Sequence, residues 1–216
     1  MKKLLLIQVV IALSGVCSVI GGDRQELRAA LLNNRQDQLQ TLINDEDDLY
    51  DAVLFLVNNN RYQQLARLLA DYRVTLDGSD IVAGGQPLFA AVSRGHSLVT
   101  QLLLQHGADA NAVDSDGRTP LALAVNQGNG SIVADLLLHN AQVNKADNNG
   151  VTPLMRAASL GNELIIRQLV RAGADPDAVD KYGRTALRMA CARNHTGAIK
   201  ALGGQPLVID DTAFDE

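Results

Sequence analysis

One phrase, written three times at a fixed interval, limits what this chain can become more than any other feature. It reads Asp114-Ser-Asp-Gly-Arg-Thr-Pro-Leu121, Asp147-Asn-Asn-Gly-Val-Thr-Pro-Leu154 and Asp180-Lys-Tyr-Gly-Arg-Thr-Ala-Leu187, so the starts at 114, 147 and 180 give a period of 33. A period of this length implies a solenoid, because each unit leaves an apolar face that only a neighbouring unit can cover. Gly117, Gly150 and Gly183 end four-residue turns, where a positive φ suits glycine. Thr119-Pro120 and Thr152-Pro153 read as an N-cap followed by proline in the first helical position.

The helical stretches after each phrase carry the same register. Ala91, Ala124, Ala157 and Ala190 share a slot where a small side chain lets neighbouring first helices approach. Val99, Ile132, Ile165 and Ala198 form one row and Leu103, Leu136, Leu169 and Leu202 another, four residues apart on one helical face. Asn140 stands where Gly107 and Gly173 stand in neighbouring units, and Asn194 where Gly95, Gly128 and Gly161 do. Asparagine is the next-best residue for a left-handed helix end, so both departures keep the geometry.

These residues, with the closing Gly107-Ala-Asp109 and Gly173-Ala-Asp175, make a chain that resembles the ankyrin repeat, clearly over residues 80–203 and in worn form over 23–79. The fold the resemblance implies is all-α: a solenoid of paired antiparallel helices with β-turn fingers. Its units are expected at 80–113, 114–146 and 147–179, with a C-terminal capping repeat at 180–204, an acidic tail at 205–216 and degenerate repeats at 19–79. In the worn part, Leu27, Leu31, Leu39 and Leu42 keep helical spacing, and Leu54, Val57, Leu65, Leu68 and Leu69 repeat the plan. Sliding this second group by 34 sets Leu65 on Val99 and Leu69 on Leu103. The unit opening Gly84-Gly-Gln-Pro-Leu88 lacks both the leading Asp and the Thr cap, so its junction is expected to open more easily than the next two.

The first residues read differently. Lys2 and Lys3 precede the apolar run 4–13, the form of a secretory signal over residues 1–18, with Val16-Cys-Ser18 and Val19-Ile-Gly21 both fitting as cleavage sites. The apolar run 4–20 is short for a spanning helix and is broken by Gln8, so cleavable export is expected rather than an anchor or a buried helix. Cys17 would be the acylated residue of a lipoprotein, a weaker variant, since Val16 stands where that motif wants a small residue. The Met-Lys-Lys opening looks bacterial, which makes the periplasm the expected destination and leaves no membrane contact after cleavage.

Chemistry is sparse. A formal charge of −5 argues against a nucleic-acid binder held by phosphate contacts. The acidic run at 44–48 lacks the glycine and terminal Glu of a calcium loop and reads as a solvated charge run. Cys191 and His195 have the i, i+4 spacing of a metal pair or of a nucleophile with its base, but Cys191 falls in the packing slot of Val92, Val125 and Ala158. No cofactor, metal set or catalytic pair is expected, and with Cys17 removed no intramolecular disulfide can form.

In ankyrin repeats, as the resemblance implies, partners bind the face made by turn tips and first helices. In this register the C-terminal half of that face holds Arg118, Met155, Arg156, Tyr182, Arg184, Arg188 and Arg193, a hot-spot composition expected to meet an acidic protein partner. The chain is therefore expected to be non-enzymatic and monomeric until bound. Periplasmic ankyrin proteins that it resembles include immunity proteins that block a toxic envelope hydrolase, the first expectation, and accessory proteins of an exported catalase, the alternative.

Overall fold

The computed structural model describes residues 24–33, 39, 42–43, 46–71 and 86–204. These residues hold eleven helices and no strand: α1 (Arg24–Leu32), α2 (Glu46–Asn58), α3 (Tyr62–Asp71), α4 (Gln86–Ser93), α5 (Ser97–Gln105), α6 (Pro120–Asn126), α7 (Gly130–Leu138), α8 (Pro153–Leu160), α9 (Glu163–Arg171), α10 (Ala186–Cys191) and α11 (Thr196–Ala201). The secretory-signal reading, the acidic tail and the uncapped turn before Gln86 lie outside the described residues.

The helices form two rows. α1, α2, α4, α6, α8 and α10 pack in succession as one row, α3, α5, α7, α9 and α11 as the other, and each helix of the second row packs on the one before it in sequence. The all-α solenoid of paired helices follows directly. Its core lies between the rows: Ala91, Ala124, Ala157 and Ala190 are fully buried, as are Val99, Ile132, Ile165 and Ala198. No ring could fit the alanine slot without pushing first helices apart.

Each turn uses the residue its backbone demands. Gly117, Gly150 and Gly183 have φ of 74°, 76° and 69°, and Asn140 and Asn194 reach 61° and 59° where their neighbours use glycine. Thr119, Thr152 and Thr185 cap α6, α8 and α10 by accepting from the N–H of Ala122, Met155 and Arg188 at 3.2, 3.3 and 3.2 Å. Proline follows the cap in the first two, so a missing N–H falls where no partner was available.

A second set of braces was not read from the sequence. Asn111 donates to the Asn140 carbonyl and accepts from Gln142 N–H at 2.7 Å, and Asn144 does the same to Gly173 and Asp175. The two asparagines are 33 residues apart, so the period alone could have marked them.

The worn unit keeps its place with a shift. Asn60 is left-handed, at φ 54°, and Arg61 N–H bonds Leu56 O as His96 N–H bonds Ala91 O. The backbone therefore aligns Asn60 with Gly95, one residue away from the alignment that sets Leu65 on Val99. Leu65 and Leu69 are fully buried all the same, because a one-residue slide on a helix moves a side chain by 100° and the wide apolar stripe tolerates it.

Candidate binding surface

The fingers are built from their leading aspartates. Oδ1 of Asp114 accepts from the N–H groups of Asp116 and Arg118 at 3.0 and 2.9 Å. Asp147 holds Asn149 and Val151 at 2.8 and 3.0 Å, and Asp180 holds Tyr182 and Arg184, both at 2.9 Å. Each tip is thus fixed by one carboxylate before any neighbour is met. Neighbouring fingers then join through main chain, Asn148 N–H to Asp116 O at 2.9 Å and Lys181 N–H to Asn149 O at 3.2 Å.

The second oxygen of each aspartate decides what becomes of the arginines. Arg118 donates from Nε to Asp114 Oδ2 at 2.8 Å, and its outer nitrogen lies 3.0 Å from Asp116. Arg184 repeats the pair on Asp180, at 2.8 Å from Nε and 2.7 Å from the outer nitrogen. Burial works to raise both carboxyl pKa values, but the hydrogen bonds from the arginine and from the turn N–H groups outweigh it, and both end below the ordinary value. In the middle finger Val151 replaces arginine and packs against the core, and Arg156 approaches Asp147 from α8 at 3.6 Å.

One residue expected on this face is buried. Met155 is 1% exposed and belongs to the core. Arg188 occupies the same slot one repeat later and is exposed. Arg118 and Arg184 stay on the face as clamps of their own turns, which the Asp-x-x-x-Arg spacing could have announced. Arg193 reaches back one repeat to the Ser159 hydroxyl.

Tyr182 stands at the tip of the last finger, 75% exposed, with the Arg184 guanidinium 4.9 Å from its ring centre. Leu160, at the first-helix position of the preceding repeat, is also exposed. Lys181, Tyr182, Arg184, Arg193 and Leu160 are exposed in the last two repeats, and Arg156 partly so. These arginines and the lysine lie in a chain whose net charge is −5.

His195 donates from Nε2 to the Ser159 carbonyl at 3.1 Å, which fixes the proton on that nitrogen since a carbonyl only accepts. Its ring lies against Gly161, where a Cβ would sit 2.7 Å away. The histidine is a repeat-to-repeat brace, and no hydrogen bond among the described residues links it to Cys191, which packs against the core. Among the described residues no group of His, Cys, Asp or Glu could hold a metal ion, and no helix is long and apolar enough to cross a membrane.

A family model for ankyrin repeats matches the chain in three copies, over residues 49–147, 91–180 and 125–210. No curated protein matches it.

Proposed function

Because the chain belongs to the ankyrin-repeat family, whose members are generally non-enzymatic scaffolds that bind another protein, we propose that it captures an acidic protein through Tyr182, Leu160, Lys181 and Arg193. The exposed Tyr182, held over Arg184, is the observation that carries this reading. An aromatic side chain already stacked loses little freedom on binding, and tyrosine and arginine dominate interface energetics. The basic groups around it steer an acidic surface toward the face and reject a basic one.

The export signal extends the proposal: the partner is an enzyme of the cell envelope, and the chain blocks it in the manner of an immunity protein. Crosslinked pull-down of the tagged protein from its own host, followed by assay of the captured protein, tests this. A stoichiometric hydrolase that is silent in the complex supports it. A captured enzyme that remains active, a catalase for instance, replaces inhibition with an accessory role. In either case Tyr182→Ala with Arg193→Glu should weaken capture by about 100-fold, and an undiminished affinity would move the site elsewhere.

A further inference from the structure

The last repeat ends in a face that inner repeats never show. Leu121 and Leu154 are fully buried by the repeat that follows them, whereas Leu187, in the same slot, is 36% exposed. Val92, Val125 and Ala158 are fully buried and Cys191 only partly so. Leu202 is partly buried where Leu136 and Leu169 are wholly so. Beside them Arg188 is exposed, and among the described residues it has no ion-pair partner. The face is therefore an apolar patch of Leu187, Cys191 and Leu202 with one guanidinium at its side.

We propose that the chain's own C-terminal segment covers this face, with Leu207 and Ile209 on the apolar patch and the carboxylates of Asp210 and Asp211 at Arg188. The chain leaves the fold at the patch: Gly204 closes α11 by donating to Ile199 O at 2.9 Å and lies so near Leu187 that a Cβ would sit 2.6 Å from its Cδ1. Pro206 follows two residues later and, lacking an N–H, cannot extend the helix. Three residues of extended chain would span about 10 Å, the distance between packed helices, so 207–209 are long enough to cross α10. After Gly204 the sequence runs from three aliphatic residues to two carboxylates, the two chemistries that the face calls for. The proposal does not depend on what the finger face binds.

Cys191 reports on the cover. The rate at which iodoacetamide modifies Cys191 in the folded full chain, followed by peptide mass spectrometry so that Cys17 is counted apart, is compared with two variants. One ends at Gly204; the other carries Leu207→Asp and Ile209→Asp, and circular dichroism checks that both stay folded. Modification at least tenfold faster in both variants, and faster to a smaller degree in Asp210→Lys with Asp211→Lys, is the expected result. Equal rates in the full chain and the Leu207→Asp, Ile209→Asp variant would overturn the proposal. So would protection that survives truncation and fades on dilution, which would make a second copy the cover.

Discussion

The repeat at 147–179 and the one at 180–204 are built on one plan, yet the same slots do different work in each. Leu154, Met155 and Ala158 are sealed between neighbours, while Leu187 and Arg188 are exposed and Cys191 is only partly buried. The contrast teaches that burial in this fold belongs to the junction and not to the unit. A residue's role depends on whether something stacks beyond it, and the terminal repeat carries arginine and cysteine in slots that hold apolar residues in the inner repeats.

The largest expected effect comes from removing the same leucine from both repeats. Leu154→Ala should lower stability by about 3–5 kcal/mol, as a fully enclosed cavity cannot collapse, and Leu187→Ala by about 1–2 kcal/mol, since a short extended segment covers less than a folded repeat. Urea unfolding followed by circular dichroism measures both, and equal losses would break the comparison. Next come the finger glycines. A Cβ at Gly150 would meet the backbone of Lys181 at 3.2 Å, while one at Gly183 meets nothing within 4 Å. Gly150→Ala should cost about 2–3 kcal/mol, and Gly183→Ala about 1 kcal/mol from its positive φ alone; thermal melts rank them.

The smallest effect is in pH. Asp180 has a folded pKa below its ordinary value, so its contribution is complete above the unfolded value of about 3.9 and is lost as pH falls through the lower folded value. The Arg184 Nε–H resonance should hold its bonded position as pH falls past 4 and collapse below it. In Asp180→Asn that acid step should vanish, and a step at neutral pH would contradict the assignment.

The fold was legible because its requirements are local and repeated: a positive φ admits glycine or asparagine, a close approach admits alanine, and each recurs at one interval. The surface was legible only in part. Met155 shares its slot with Phe89, Ala122 and Arg188, and such variety looks like an open position until the covering repeat is seen. Arg118 and Arg184 lie in the fingers, but their charge is already half committed to Asp114 and Asp180. Leu160 shares its slot with Arg94, Gln127 and Arg193, so the repeat register marks it as a face position where the pattern of its own helix, which ends there, does not.

The joints between fingers are made largely from main chain, Asn148 N–H to Asp116 O and Lys181 N–H to Asn149 O, with Asn148 Nδ2 adding a bond to Ser115 O, and each tip is tethered through its own peptide N–H groups. Side-chain identity at 115, 116, 149, 181 and 182 is therefore nearly free of architectural duty. The tips are thereby uncoupled from what holds the stack upright, so a lineage can rewrite these letters while the scaffold beneath is inherited unaltered.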